Sequence, residues 1–371
     1  MKFKARKGAL LKVLSIAGRT AESKASVKSL DRIRLKVDDG IEILSTDGTV
    51  FTRCTISAEE IERPGDLLVY SKLFISIVSS LPVKDDQEIS FEHQDGGKLH
   101  ISAGKTSHEL NTFSSDAFLP FVEVDTGRDF IVLNGSDFAD AIAQVAPCVS
   151  RNNTKPQYTG VYMSVEDDGI TFAATDSSRF AYRFLKSSTD GLEKGVSIIA
   201  PLKAVEDIRK LADGKPECKI ILSDRVIGYE DESTLLVSKL LNVEFPYFRE
   251  ILPRDPSQGF SSINTESFKG AVKSLMPLAH ESNMVTAMML RGGQLTLTAI
   301  SEQSGRSVAE MVMEQKCADM DMMFNLSYII DVLNCLETEN FELKLTSQVE
   351  PAIFKMEERD DFYYILMPMR L

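Results

Sequence analysis

The chain has 371 residues, 43% hydrophobic and 26% charged, with a formal net charge of −13. This length exceeds what one hydrophobic core usually supports, so two or three domains are expected. The chain has no long apolar run, which excludes a transmembrane helix, and no export signal, which predicts a cytoplasmic protein without a membrane partner. Its acidic net charge excludes a protein that grips nucleic acid over its whole surface.

Six amphipathic segments predict helices, two in each third of the chain. Their apolar residues recur at the i, i+3 or i+4, i+7 spacing that one buried helical face requires. In chain order the segments are residues 10–17, 74–81, 138–145, 205–211, 268–279 and 329–336.

Three hairpins follow the first helix of each pair and repeat along the chain. They lie at residues 34–44, 162–172 and 288–297, with Asp-Gly or Gly-Gly turns between alternating apolar residues. Thr46 and Thr175 follow the first two hairpins 129 residues apart, and Ile300 takes the same place 125 residues further on. Two nearly equal intervals of this kind indicate a threefold repeat.

The repeat predicts an α+β fold of three similar domains. Each domain carries two helices and several antiparallel strands. Proline-bearing connections near residues 124 and 254 divide the chain into domains at residues 1–124, 125–254 and 255–371. If the paired helices share one face of the sheets, three such units form an arc, and closing that arc needs another copy of the chain.

The sequence offers no convincing catalytic, metal or cofactor site. Gly104-Lys105-Thr106 has the end of a phosphate-binding loop, but Leu99 stands where the first glycine is required, so a hairpin is favoured. The four histidines lack metal-ligand spacing, and the five widely spread cysteines are interpreted as reduced structural thiols. We therefore predict a protein without catalytic residues or cofactors.

Five landmarks together resemble one family. These are the start Met1-Lys-Phe, then residues 174–179, 245–249 and 324–333, and the ending Tyr364-Ile-Leu-Met-Pro-Met-Arg-Leu371. In the same order they are similar to the bacterial beta sliding clamp, the beta subunit of DNA polymerase III, over essentially the whole chain. The resemblance implies a ring-shaped head-to-tail homodimer, with helices inside and sheets outside, that encircles duplex DNA. It also implies an ATP-driven clamp-loader complex, the replicative DNA polymerase and other proteins with clamp-binding motifs as partners.

The resemblance also implies three sets of site residues. Matching positions for DNA contacts are Lys24, Lys72, Asn152 and Gln157, with lysine where arginine is familiar at 24 and 72. Those for the subunit interface are His108, Leu110, Pro277 and Leu278. Those for a peptide-binding pocket between the second and third domains are Tyr158, Thr175, Ser177, Ser178, Arg179, Phe180, Pro246, Ile251, Tyr328, Ile365, Met367, Pro368, Met369, Arg370 and Leu371.

Several alternatives stay open at this stage. Residues 365–369 could simply pack a terminal strand into a core. Ser177 and Ser178 replace a familiar Gly-His pair, and Glu250 stands where a basic residue is common, so the peptide preference could be altered. A diverged clamp-like adaptor that binds peptides without encircling DNA is the main rival function, and an enzyme with an unrecognised active site is the second.

Overall fold

The computed structural model describes residues 1–21, 29–94, 96–122, 130–189, 194–255 and 258–369. These residues include six α-helices, and all six predicted helical segments are confirmed. Leu81 and Leu336, which the spacing assigned to helices, lie directly after a helix end. The helices are α1 (Lys7–Thr20), α2 (Ser71–Ser80), α3 (Gly135–Val145), α4 (Leu202–Ala212), α5 (Thr265–His280) and α6 (Leu326–Cys335).

The same described residues include twenty-five strands. Those of the first third are β1 (Lys2–Arg6), β2 (Arg32–Val37), β3 (Ile41–Thr46), β4 (Val50–Ile56), β5 (Glu60–Arg63), β6 (Gly65–Tyr70), β7 (Glu88–Gln94), β8 (Lys98–Ala103) and β9 (Thr106–Asn111). Those of the second are β10 (Phe130–Leu133), β11 (Gly160–Val165), β12 (Gly169–Thr175), β13 (Arg179–Lys186), β14 (Ser197–Pro201), β15 (Cys218–Leu222), β16 (Val226–Glu230) and β17 (Thr234–Lys239). Those of the third are β18 (Phe260–Asn264), β19 (Val285–Arg291), β20 (Gln294–Ser301), β21 (Gly305–Val312), β22 (Met320–Asn325), β23 (Asn340–Lys344), β24 (Ala352–Met356) and β25 (Phe362–Leu366).

The order of elements confirms the threefold repeat. Each third runs strand, helix, four strands, helix and three strands, and only β5 in the first third is additional among the described strands. The α+β class and the three similar domains are therefore confirmed. The predicted boundary near residue 124 falls outside the described residues, and the one near residue 254 lies between β17 and β18. Both boundaries stay predictions.

The chain divides into two compact units, of which the first consists mainly of Met1–Ser136 and Lys203–Leu240. It contains a five-stranded sheet, β5-β1-β7-β8-β9, and an eight-stranded sheet, β10-β15-β16-β17-β4-β3-β2-β6. Helices α1 and α2 bury apolar residues such as Leu14 and Phe74 against residues of both sheets, such as Phe91 and Leu35. Burial alternates along β1 and β8, as a sheet with one covered face requires, whereas β16 and β17 are buried along almost their whole length.

The second unit consists mainly of Asp137–Thr189 and Leu241–Leu371. Its sheets are β14-β11-β12-β13-β25-β24-β23-β18 and β21-β20-β19-β22. Helices α5 and α6 start at asparagine caps, where the side-chain oxygen of Asn264 accepts a hydrogen bond from the backbone N–H of Ser267 and that of Asn325 accepts one from Ser327, both at 2.9 Å. Such caps satisfy backbone donors that the first helical turn leaves unpaired.

Asp231, at the turn between β16 and β17, makes folding sensitive to acid. Burial raises the pKa of its carboxyl group, but the Lys215 ammonium, the backbone N–H of Ser233 and the Tyr229 hydroxyl outweigh burial and lower the pKa from 3.8 to about 2. Because the pKa is lower in the folded state than in the unfolded state, this stabilisation is present above about pH 4 and is lost as the pH falls towards 2.

We expect Asp231→Asn to lower the free energy of unfolding at pH 7 by about 1–2 kcal/mol, since the carboxylate is only partly buried. Urea denaturation at pH 7, 4 and 2.5 checks this, because the difference from the unaltered protein should shrink towards the lowest pH. Asp224→Asn, at an exposed position before β16, is the matched control and should change little. A difference that stayed constant with pH would rule out this origin.

Candidate functional site

The turn between β12 and β13 and the end of the chain lie side by side. Strand β13 pairs with β25, so that Phe180 lies opposite Ile365. Beyond the strand, the backbone N–H of Met367 donates to the carbonyl oxygen of Ser178 at 2.9 Å. Ser177 adopts a φ of +80°, a conformation that favours glycine, where the family's familiar Gly-His pair would stand. The structure thus brings the two main segments of the predicted peptide pocket together.

An aromatic cluster packs beside this turn. Phe180 and Ile365 are almost fully buried against Phe248, whose ring centroid lies 5.2 Å from that of Phe180. Pro246 and Ile251, also predicted for the pocket, lie on the same segment as Phe248 and are exposed. The segment therefore anchors itself through its phenylalanines and leaves apolar groups accessible to a partner.

Arg179 joins the turn to helix α6. Its guanidinium donates to the carboxylates of Asp176 and Asp331 and to the hydroxyl of Tyr364, and it lies 4.0 Å from the ring centroid of Tyr328. Burial raises the pKa of Tyr364 well above its ordinary value, so this hydroxyl stays protonated and donates to the carbonyl oxygen of Tyr328 at 3.1 Å. The predicted pocket residues Arg179 and Tyr328 are thus held by Asp331 and Tyr364, neither of which was predicted to belong to the pocket.

A cavity of about 480 Å³ opens beside the end of the chain. The backbone N–H of Met369 donates to the carbonyl oxygen of Met323 at 2.7 Å, which fixes the C-terminal segment along β22. The lining is rich in methionine, a flexible side chain suited to apolar partners of varied shape. The lining residues are Ala287, Met289, Asp321, Met322, Met323, Gln348, Val349, Met367, Pro368 and Met369.

The C-terminal residues lie in two different environments, and their role in peptide binding stays a prediction. Ile365 is 4% exposed and packs in the core, whereas Met367 and Met369 are 42% and 41% exposed and line the cavity. The sequence missed the cavity residues of β19 and β22. The dense methionines of residues 320–323 were the signal that could have indicated them.

The remaining predicted site residues are not among those that line this cavity, or they fall outside the described residues. Lys24, Arg370 and Leu371 are outside the described segments. Lys72 is exposed on α2, Asn152 is exposed between α3 and β11, and Gln157 and Tyr158 are half-buried just before β11. These placements leave the predicted DNA contacts as predictions.

The predicted interface residues lie on two elements. His108 is half-buried in β9, while Leu110, 6% exposed, belongs to the core of its own unit. Pro277 is exposed and Leu278 is half-buried in the last turn of α5. Leu110 therefore contributes to the stability of the monomer whatever else it contacts.

The hairpin interpretation of residues 104–106 is confirmed, since Gly104 and Lys105 form the turn between β8 and β9. Within the described segments no group of His, Cys, Asp and Glu is arranged to hold a metal ion. All five cysteines lie in those segments and are free, and burial raises the pKa of Cys54 to about 12 and that of Cys218 to about 11. Helices in the described ranges are too short or too polar to cross a membrane.

Three family models match consecutive parts of the chain. They describe the N-terminal, central and C-terminal domains of the DNA polymerase III beta subunit, and they match residues 1–121, 132–247 and 249–370. The chain belongs to this family. Members of the family are sliding clamps, which are non-catalytic processivity factors that work with DNA and DNA polymerase, so the enzyme alternative is set aside.

Individual relatives agree with this assignment. The beta sliding clamp of Streptomyces coelicolor is 27% identical over 385 aligned positions, with all of both chains covered. That of Chlamydia muridarum is 27% identical, with 90% of this chain and 89% of that one covered. The crystal structure of the subunit from Pseudomonas aeruginosa has a TM-score of 0.92 at 24% identity, with all of both chains covered, and therefore supports the fold.

Proposed function

We propose that this chain encircles duplex DNA as a head-to-tail homodimer, in the cytoplasm, and tethers the replicative polymerase and other proteins through the pocket at its C-terminus. A clamp-loader complex would open and place the ring. The observation that carries the proposal is the pairing of strands between successive repeats. The same pairing occurs at both junctions within the chain, and a second copy is needed to supply the third.

The rule joins successive repeats through their sheets. Strand β17, the last of the second repeat, pairs with β4 of the first repeat, and β25, the last of the third repeat, pairs with β13 of the second. The corresponding strands that are left over are β9, the last of the first repeat, and β21 of the third. Among the described strands each of these has a neighbour on one side only. Pairing β9 of one copy with β21 of another, twice, closes a symmetric dimer without open edges at these positions.

The pocket supports the tethering role. An apolar, methionine-rich cavity, together with an exposed Ile251 and an Arg179 held by its hydrogen bonds, suits a short peptide with apolar anchors, and several partners can share such a site. The full set of predicted pocket residues, including Tyr158, Pro246, Arg370 and Leu371, is proposed to contact such peptides.

The proposed DNA contacts predict a change in salt dependence. Lys72 is exposed on α2, so it can neutralise a phosphate without reading sequence. We expect Lys72→Gln to reduce the slope of log K for duplex DNA against log salt by about 0.9 per lost phosphate contact. Fluorescence anisotropy at several salt concentrations measures the slope. Lys316→Gln, which removes a lysine paired with Glu314 in a loop, is the control and should leave the slope unchanged.

Retention on circular DNA tests the encircling function. The purified protein is loaded onto nicked circular duplex with a clamp loader and ATP, and the circle is then cut once with a restriction enzyme. We expect retention on the circle and release on cutting, because a closed ring leaves DNA only over an end. Failure to stay on intact circles, although the protein is dimeric and loader is present, would favour the peptide-binding adaptor.

A further inference from the structure

Both junctions inside the chain use the same strand register. At the first, Phe51, the second residue of β4, lies opposite Val237, the fourth residue of β17. At the second, Phe180, the second residue of β13, lies opposite Ile365, the fourth residue of β25. Backbone bonds next to these pairs match as well, since the N–H of Lys239 donates to Thr49 at 3.0 Å and that of Met367 donates to Ser178 at 2.9 Å.

The same positions can be found on the two strands that are left over. Thr46, Thr175 and Ile300 occupy equivalent places in the three repeats. Across the hairpin that follows each of them, their partners are Phe51, Phe180 and Arg306, respectively. Arg306 is the second residue of β21, as the phenylalanines are of their strands. The fourth residue of β9 is Glu109, at the place of Val237 and Ile365.

We propose that β21 and β9 of a second copy join in this register, so that Arg306 lies opposite Glu109. Four residues further along β21, Glu310 then lies opposite Lys105, the turn residue directly before β9. The inference rests on the proposed homodimer and specifies how its two copies align. Where the internal junctions bury an apolar pair, the junction between copies carries two pairs of opposite charge.

The exposure of these residues fits a surface that awaits a partner. Arg306, Glu310, Lys105 and Glu109 are all exposed in the single chain. Val308, 45% exposed, lies between the two charged residues of β21 and would face Ser107. Opposite charges placed directly across neighbouring antiparallel strands stabilise pairing, and like charges oppose it.

The charge order selects this register over its neighbours. A slip by one residue turns every side chain to the other face of the sheet. A slip by two removes both charge pairs, and a slip by four in one direction places Arg306 opposite Lys105. The two pairs therefore give the interface specificity, which is the main contribution of exposed charges to association. The register also gives a role to the exposed Lys105 of the turn between β8 and β9.

Charge reversal in the full-length protein tests the register. Glu109→Arg and Arg306→Glu each place like charges at both interfaces of a homodimer, so we expect each single variant to raise the dimer dissociation constant at least about tenfold. A mixture of the two single variants has complementary charges at both interfaces of the heterodimer, one native and one reversed. We expect the mixed heterodimer to recover an affinity within about threefold of the unaltered dimer. Native mass spectrometry with one variant carrying a mass tag measures both values.

The controls separate the register from the proposed dimer and from local effects. Glu109 bonds Lys98 of its own chain at 2.8 Å, so Lys98→Glu tests whether loss of that bond alone weakens the dimer. Equal weakening by Lys98→Glu, or a mixture of the two variants that stays monomeric, would overturn the register while leaving a dimer of the unaltered protein intact. A monomeric unaltered protein would instead overturn the proposed ring and this inference with it.

Discussion

Deletion of residues 367–371 is expected to weaken binding of a peptide with apolar anchors by about 100-fold. Met367, Pro368 and Met369 form one wall of the 480 Å³ cavity, and the deletion exposes the anchors that this wall would cover. Losing most of the burial of one or two leucine-sized side chains costs about 3 kcal/mol, which corresponds to about two powers of ten in affinity. Fluorescence anisotropy with a labelled pentapeptide that contains leucine and phenylalanine measures the change.

The fold of the truncated protein is expected to survive. The deletion removes backbone bonds from Met367 to Ser178 and from Met369 to Met323, each worth only about 1 kcal/mol net, and leaves the buried strand β25 complete. Circular dichroism and sedimentation should therefore report an unchanged secondary structure and dimer. A truncated protein that binds the peptide within threefold of the full-length chain would show that the pocket lies elsewhere.

Arg179→Ala is expected to lower the free energy of unfolding by about 2–4 kcal/mol. The side chain is 10% exposed and bonds Asp176, Asp331 and Tyr364, so its removal takes one donor from each of two half-buried carboxylates and from a buried hydroxyl. Breaking a buried ion pair from one side costs about 3–5 kcal/mol, and the partial exposure of Asp331 reduces that figure because water can replace the lost cation. Urea denaturation at pH 7 measures the effect.

Two conservative variants localise the cause. Arg179→Lys keeps the charge but loses the planar fork, so its stability should lie between those of the unaltered protein and Arg179→Ala. Asp331→Asn removes one carboxylate charge and keeps an acceptor oxygen, so it should lower the free energy of unfolding by less than Arg179→Ala does. If Arg179→Ala unfolded at the same urea concentration as the unaltered protein, the network would have no structural role.

Local pattern made most of the architecture predictable. The helices followed from apolar spacing, and the hairpins at residues 39–40, 168–169 and 292–293 followed from Asp-Gly and Gly-Gly turns, because both signals depend on neighbours a few residues apart. The repeat followed from the recurrence of the same local patterns in the same order, with Thr46, Thr175 and Ile300 at equivalent places. Spacing also favoured a hairpin over a phosphate loop at residues 104–106, and the turn between β8 and β9 confirms the hairpin.

The site required contacts between residues far apart in sequence. The end of the chain resembles the family's ending, but the sequence alone could not show that Ile365 packs in a core while Met367 is exposed. Residues i and i+2 of a strand share one face, and no local signal showed that β25 ends at Leu366. Pairing of β25 with β13 made that decision, and Asp331, 152 residues from Arg179, entered the site only through it.

The sequence by itself determined the α+β class, the threefold repeat and the family, because these depend on local periodicity and on motifs read in order. Only the tertiary structure decided which strands join successive repeats and which two are left over. Strand partners are chosen by backbone hydrogen bonds between distant segments, and no local pattern distinguishes β9 and β21, each with one neighbour in the described sheets, from strands with two. The charges of Glu109 and Arg306 are visible in the sequence, but their relation becomes apparent only once the register of the internal junctions is known.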